Sequence, residues 1–175
     1  FLLSWWQDYL QIWSGRRIFL STDPVLVPTI ASDAATSGGI GAAYGDEYLS
    51  ESVPNWLSGH HINELELYGV LRGFLKWANR FQDKFVDLLT DSSVAMYACR
   101  KMSSPIPQMN TLLMELAMTA AKYNVSFSVQ HIPGFGNKIA DALSRDKAGF
   151  IRDINDAEKH DMMKSINLAD VFDKF

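Results

Sequence analysis

The chain has 175 residues, of which 47% are hydrophobic and 21% are charged, and its formal net charge is −4. These values are ordinary for a globular protein and allow one domain with short appendages. The single cysteine, Cys99, excludes an internal disulfide and favours an intracellular, reducing location. A negative balance is unusual for a nucleic-acid binder, but carboxylates that hold divalent metals also count as negative.

The first segment, residues 1–24, is rich in aromatic and aliphatic residues. Asp8, Arg16 and Arg17 exclude a transmembrane helix, and no signal-peptide pattern is present. The spacing predicts a short amphipathic helix that packs on the domain or on a neighbour. Because the chain starts at Phe1 rather than Met, we expect this segment to connect to an upstream domain. The residues at helical spacing are Leu2, Trp5, Trp6, Tyr9, Leu10 and Trp13.

Three strands are predicted between Val25 and Asn55. VLVPTIASDAA is an apolar run with a polar tip, SGGIGAAYG has turn glycines at both ends, and EYLSESVPNW alternates. Short turns join the three segments, which indicates an antiparallel meander.

The second half of the chain alternates helices and strands. A helix of about five turns is predicted over 61–81, with Asn63 as a plausible cap. The following segments are a strand (84–91), a helix from Ser92 or Ser93 to Met102, a helix (108–124), a strand (124–132), a glycine turn (134–137) and a short helix (138–145). The order β-β-β-α-β-α-α-β-α predicts an α/β fold, with a mixed five-stranded sheet that has an antiparallel β1–β3 meander, then parallel strands, and helices on its faces. We expect this domain to span 25–145, with 146–175 as a C-terminal extension.

Four acidic residues lie at or near the ends of predicted elements. Asp33 and Asp91 end apolar strands, Glu66 lies early in the long helix, and Asp141 lies in the last helix. Taken singly, each is ordinary, since such residues form turns, cap helices or face solvent. Glu66 fits this reading less well because it lies between two leucines, and a buried carboxylate without a partner is costly.

Four carboxylates from four elements are suited to holding a pair of magnesium ions. Hard oxygen ligands suit Mg²⁺. Two such ions, about 3.5–4 Å apart, stabilise the attacking and leaving oxygens in phosphodiester hydrolysis.

Four motifs, in order, resemble those of the ribonuclease H family between Ile30 and Arg145. They are SDAATSGGIGAA, an N-x-x-E-L helix start in NELELYGVLRGFL, LLTDSS, and an H-x-x-G-x-x-N-x-x-x-D pattern in HIPGFGNKIADALSR. The second motif selects Glu66 rather than Glu64. The resemblance implies a ribonuclease H-like fold and two-metal cleavage of the RNA strand of RNA–DNA hybrids.

The resemblance also implies roles for individual residues. Asp33, Glu66, Asp91 and Asp141 would bind two Mg²⁺ ions, for which Mn²⁺ can substitute. His131 would lie at the rim and move a proton or assist product release, although a histidine held at a strand end is the simpler alternative. The predicted substrate contacts are Asn63, Asn137, Gly38 and Ser92, with Asn137 alternatively fixing its loop. Backbone groups in the glycine turn Gly38–Gly41 and polar side chains such as Asn63 would read, across the minor groove, the 2′-hydroxyls that mark RNA, unless these glycines only serve turn geometry. His60 and His61 are expected to be surface or loop residues.

A narrower likeness concerns the two ends of this region. WWQDYLQIWSGRRIF and ADALSR resemble ribonuclease H domains of retrotransposon polyproteins of the DIRS-like and gypsy types. The domain would then follow a reverse transcriptase, in the cytoplasm or in a replication particle, with no membrane partner. The basic protrusion of many cellular members is absent from KMSSPIPQMN, so we expect weak hybrid binding by the isolated chain. The basic residues that could contact substrate are Arg72, Lys76, Arg100, Lys101, Lys138 and Arg145.

Two other functions remain open from the sequence. A non-catalytic scaffold of the same fold would pack against a polymerase, although it would not need four clustered carboxylates. A transposase or integrase core would cut DNA, but it fits the closing motif poorly.

Overall fold

The computed structural model describes residues 2–12, 27–36 and 38–145. The predicted aromatic helix is present as α1, Leu2–Ile12, and it contacts α4, Pro107–Tyr123. Trp13 and the predicted extension 146–175 lie outside the described residues, and the division of the chain at 24 and 145 stays a prediction. Across the described ranges, no helix is long and apolar enough to cross a membrane.

The predicted order of elements after α1 is confirmed. The remaining elements are β1 (Thr29–Ala34), β2 (Gly39–Tyr44), β3 (Glu47–Ser52), α2 (Ile62–Trp77), β4 (Phe85–Thr90), α3 (Ser93–Lys101), β5 (Ser126–His131) and α5 (Lys138–Ser144), with α4 between α3 and β5. The strands form one sheet in the order β3-β2-β1-β4-β5. Strands β1, β2 and β3 pair antiparallel, whereas β4 pairs parallel with both β1 and β5.

Several predicted boundaries differ in the structure: the helix predicted over 61–81, for example, ends at Trp77 and is followed by a 3-10 turn at Ala78–Phe81. The third strand was expected to reach Trp56, but β3 ends at Ser52 and a 3-10 turn follows at Asn55–Leu57. Pro54 has no N–H to donate to a ladder, and its carbonyl accepts the N–H of Leu57 instead.

The predicted cap of α2, Asn63, is also wrong. The cap is His61, whose Nδ1 accepts the backbone N–H of Asn63 at 3.2 Å. Glu64 Oε2 accepts the backbone N–H of His61 at 3.1 Å, which completes a capping box. Histidine is not among the common capping residues, so a preference-based reading selects asparagine.

The main core lies between the sheet and helices α2, α3 and α4. Its largest fully buried side chains include Trp77, Phe74 and Phe81, which pack with apolar residues of β1, β4 and β5. On the opposite face, α5 packs on β1, β2 and β3, where Leu143 contacts Ala43. The apolar cluster beneath α5 is small and consists of Ala43 and Leu143, with Ile139 packed against it.

The parallel pairing places three strand ends at one edge of the sheet. Ala31 of β1 lies beside Leu89 of β4, so Asp33 and Asp91, each two residues further on, come at the same level. Thr90 lies beside His131 at the end of β5. Ligand sites in sheets of this kind form outside the carboxyl ends of parallel strands.

Candidate metal centre

Three of the four predicted metal ligands come together at this edge. Asp33 ends β1, Glu66 lies in the second turn of α2, and Asp91 follows β4 directly. One carboxylate oxygen from each of the three lies within 4.8 Å of the others. The turn that carries Asp91 is braced because the buried hydroxyl of Thr90 accepts the backbone N–H of Ser92 at 3.1 Å. Three separate elements therefore hold three carboxylates in one place.

Glu66 is the most strongly perturbed of these carboxylates. Its exposed fraction is 8%, and Oε2 has no hydrogen-bond partner among the residues that the structure describes. Burial, followed by the negative charges of Asp33 and Asp91, raises the pKa of Glu66 to about 9, although a hydrogen bond from the backbone of Ala34 opposes the shift. A buried carboxylate oxygen with no donor is suited to a cation.

Asp33 is buried but has a hydrogen-bond donor. Its exposed fraction is 4%, and Oδ2 accepts the hydroxyl of Ser144 at 2.6 Å. Burial raises the pKa of Asp33 to about 6, and the charges of Asp91 and Asp141 act in the same direction. The Ser144 hydroxyl lowers the pKa in opposition, because it stabilises the ionised form.

Asp141 lies close to the cluster but is not part of it. Its charge raises the pKa of both Asp33 and Glu66. Its Oδ1 instead accepts the Nε–H of Arg145 at 2.5 Å, one helical turn along α5. The predicted fourth ligand is thus held by a cation from its own helix.

The loop after β5 forms one rim of the cluster. A Cβ atom at Gly134 would lie 3.3 Å from Asp91 Oδ2, so this loop closes tightly over the carboxylate. His131 is exposed at the start of the same loop. It pairs with Thr90, the residue before Asp91, and its place at the rim of the site and its chemical role stay predictions.

Asn137 anchors that loop to the sheet. Its exposed fraction is 1%, and its Nδ2 donates to the carbonyl of Ser32 at 2.8 Å. Its Oδ1 has no hydrogen-bond partner within the described part of the chain. Asn137 was predicted either to fix its loop or to contact the substrate, and its hydrogen bond to Ser32 is of the first kind.

The other predicted substrate contacts have structural roles in the free chain. Ser92 caps α3, because its hydroxyl accepts the N–H of Ala95 at 3.2 Å. Asn63 is half-buried in the first turn of α2. At Gly38, a Cβ atom would lie 2.2 Å from the carbonyl oxygen of Ser144, so close packing of β2 and α5 explains this glycine.

Sequence reasoning missed Ser144 as a partner of Asp33. The signal was weak, since a serine near the end of a short helix is common. Only its spacing, three residues after Asp141, indicates that it faces the same side of α5 as a predicted ligand.

The cluster fits a divalent metal ion. It offers hard carboxylate oxygens, it carries an unpartnered buried oxygen at Glu66, and none of the ion pairs of the described residues neutralises it. Such a set could hold a metal ion of the Mg²⁺ class.

Comparisons with known proteins identify the fold. No family model matches the chain, and no curated protein matches it. Among solved structures, it resembles an RNase H1 from the halophilic archaeon Halobacterium salinarum, at 16% identity and a TM-score of 0.56, covering 70% of this chain and 100% of that one.

Two further structures give the same answer. The N-terminal RNase H domain of a Mycobacterium tuberculosis protein matches at 14% identity and a TM-score of 0.53, covering 67% of this chain and 95% of that one. An RNase H1 isolated from compost by a metagenomic approach matches at 20% identity and a TM-score of 0.53, covering 71% and 99%. The chain therefore has the ribonuclease H-like fold, with the mixed five-stranded sheet that its sequence predicts.

Proposed function

We propose that this chain is a metal-dependent nuclease that hydrolyses the RNA strand of RNA–DNA hybrids. The observation that carries the proposal is the cluster of Asp33, Glu66 and Asp91 at the carboxyl edge of a ribonuclease H-like sheet, which no ion pair among the described residues neutralises. A buried cluster of like charges is costly unless a cation is bound. The four sequence motifs agree with this activity: three contain the cluster residues, and the fourth runs from the end of β5 to α5 and contains Asp141.

Asp33, Glu66 and Asp91 would hold Mg²⁺, with Asp141 as the fourth ligand of a two-ion site and Mn²⁺ able to substitute. When bound, the ions supply positive charge that stabilises the attacking and leaving oxygens of the phosphodiester. Arg145 binds Oδ1 of Asp141, so Asp141 would take part through Oδ2 or after release of this pair.

The chain's own residues would prepare the site and move protons. Glu66 and Asp33 must lose their protons before they bind a cation, and their raised pKa values make this loss dependent on pH. His131, exposed at the rim, would carry a proton between solvent and the reacting groups or assist product release. Asn137 would keep the rim loop in place through its bond to Ser32.

Selection of RNA would depend on the 2′-hydroxyl of the cut strand. Asn63, Ser92 and the backbone of Gly38 are our candidates for contacts across the minor groove. Since Ser92 and Gly38 also have packing roles, their substitution is expected to change stability as well as substrate binding.

We expect the isolated chain to bind hybrid weakly. Three of its candidate basic residues already have partners, since Arg72 pairs with Glu51, Arg145 pairs with Asp141, and the Nε of Arg100 donates to the carbonyl of Val129. Affinity would come from a reverse transcriptase domain in the same retrotransposon polyprotein. Nanomolar hybrid binding by the isolated chain at physiological salt would contradict this expectation.

A substrate panel tests the proposed function. Labelled RNA–DNA hybrid, duplex DNA and single-stranded RNA are incubated with the chain, with and without Mg²⁺ or Mn²⁺. Metal-dependent cutting of the RNA strand of the hybrid alone is the expected result. Cutting of duplex DNA would indicate a transposase-like or integrase-like nuclease, and no cutting with either metal would indicate a scaffold.

A further inference from the structure

The hydroxyl of Ser144 joins two elements that carry predicted metal ligands. It lies 2.6 Å from Asp33 Oδ2 on β1 and 2.9 Å from the carbonyl oxygen of Asp141 on α5. Ser144 is fully buried, with an exposed fraction of 0%. A serine has one O–H to donate, and the ionised carboxylate is both the closer and the stronger acceptor.

A donor on one oxygen of a carboxylate also determines where the other oxygen lies. With Oδ2 of Asp33 held, rotation about the Cβ–Cγ bond is restricted, and the position of Oδ1 follows. Ligand geometry matters most for Mg²⁺, which demands near-ideal octahedral coordination.

Glycines in β2 and just before it let Ser144 reach this position. A Cβ atom at Gly38 would lie 2.2 Å from the Ser144 carbonyl oxygen, and one at Gly41 would lie 2.6 Å from its backbone nitrogen. Side chains at these two positions would push the last turn of α5 away from the sheet. The contact with Asp33 is therefore set by backbone packing rather than by a mobile side chain.

We propose that Ser144 is a positioning residue of the metal centre, which orients the Asp33 carboxylate for a divalent cation. This inference rests on the proposed function, since it assigns a role within the same site. Ser144 itself needs no contact with metal or substrate.

The test is a direct measurement of Mn²⁺ binding, in which electron paramagnetic resonance counts free Mn²⁺ in the absence of nucleic acid. Loss of a group that orients a ligand typically costs about 10–100-fold in metal affinity, and we expect a loss in this range for Ser144→Ala. Ser144→Cys keeps a side chain of similar size, but a thiol is a weak hydrogen-bond donor. The Mn²⁺ affinity of this variant should therefore lie between those of the wild type and Ser144→Ala.

Ser50→Ala is the matched control. The Ser50 hydroxyl donates to the Leu143 carbonyl at 3.0 Å, so it also holds the end of α5 but does not touch a carboxylate. We expect its Mn²⁺ affinity to stay within about twofold of the wild type, well short of the cost of losing a ligand-orienting group.

Three outcomes would overturn the inference: equal loss in Ser50→Ala and Ser144→Ala, unchanged binding in Ser144→Ala, or no Mn²⁺ binding by the wild type. If Ser144→Ala does not fold, wild-type affinity in Ser144→Cys would overturn it equally. A wild-type chain whose Mn²⁺ affinity depends on Ser144 as expected, yet which leaves hybrid uncut, would contradict only the proposed function.

Discussion

Helix α2 carries two residues that belong to opposite electrostatic environments. Near its start, Glu66 joins Asp33 and Asp91 in a cluster whose carboxylates form no ion pair within the described part of the chain. Six residues later, Arg72 binds Glu51 of β3 through two hydrogen bonds, from Nε at 2.8 Å and from Nη2 at 2.7 Å. Helix α2 thus neutralises the Glu51 carboxylate with Arg72. It also adds the Glu66 carboxylate to a cluster of like charges that repel one another.

The contrast separates residues that stabilise the fold from residues that serve the site. Bidentate Arg–carboxylate pairs stabilise the folded chain. Three clustered carboxylates, two of them buried, cost energy until protons or an external cation neutralise them. Substitution of the carboxylates of β3 should therefore change mainly the free energy of unfolding. Substitution of the cluster carboxylates should change mainly the cutting rate and the response to metal.

The largest expected effect is loss of hybrid cutting in Asp91→Asn. The substitution removes a charged ligand while it nearly preserves the size of the side chain. Bound metal ions stabilise the transition state by several kcal/mol, so we expect the cutting rate of the variant to fall by more than about 100-fold. The measurement is single-turnover cleavage of labelled hybrid at saturating Mg²⁺.

Asp87→Asn is the matched control on the same strand. Asp87 is buried on β4 and accepts the hydroxyl of Ser128, outside the cluster. Its cutting rate should remain within a few-fold of the wild type. If both variants lose activity equally, or if Asp91→Asn cuts normally, the assignment of the site is wrong.

The next largest effect concerns stability without metal as pH rises. The folded-state pKa values of Glu66, about 9, and Asp33, about 6, lie above the ordinary values of 4.5 and 3.8. The folded chain then holds more protons than the unfolded chain between about pH 4 and 9. The free energy of unfolding should therefore be highest below about pH 4 with respect to these groups, and fall as pH rises to about 9, by on the order of a few kcal/mol.

Chemical denaturation across this pH range, in the presence of a chelator, measures the slope. Glu66→Gln should remove most of it above pH 6, whereas Mg²⁺ should restore stability increasingly as pH rises, because binding displaces protons. A slope that is unchanged in Glu66→Gln would show that Glu66 does not titrate in the inferred way.

Most of the fold could be predicted because it depends on periodicity. The change from alternating residues before Asn55 to a helical pattern after His61 locates the meander and α2. At the site, strand ends and motif spacing predict that Asp33, Glu66 and Asp91 converge, and the structure brings them together.

The rest depends on contacts between distant residues, which periodicity does not encode. The hydrogen bond between Ser144 and Asp33 joins residues that are far apart in the sequence. The cap of α2 is His61, although asparagine is the more common residue type at this position. The pair formed by Asp141 and Arg145 could have been predicted, since residues four apart on a helix are neighbours. Our sequence reading considered each only for its role toward metal or substrate.

Arg145→Gln should give a smaller, opposite effect on metal binding. Arg145 is exposed and binds Oδ1 of Asp141, so its removal frees a carboxylate oxygen near the cluster. Since exposed ion pairs contribute at most about 1 kcal/mol, Mn²⁺ affinity should rise by no more than about fivefold. The same resonance titration measures it without nucleic acid, and Lys138→Gln, a charge loss at the start of α5, is the control. A fall in affinity would mean that Arg145 supports the site instead.

The smallest effect tests the other half of the comparison. Glu51→Gln removes the carboxylate that Arg72 binds, in a pair that is about one-third exposed on both sides. We expect the free energy of unfolding to fall by roughly 0.5–1 kcal/mol, and less at high salt. Mn²⁺ affinity should not change, because the pair lies outside the cluster. If Glu51→Gln altered metal binding as strongly as Asp91→Asn, the Arg72–Glu51 pair and the carboxylate cluster would be energetically coupled. The distinction between residues that stabilise the fold and residues that bind metal would then be wrong.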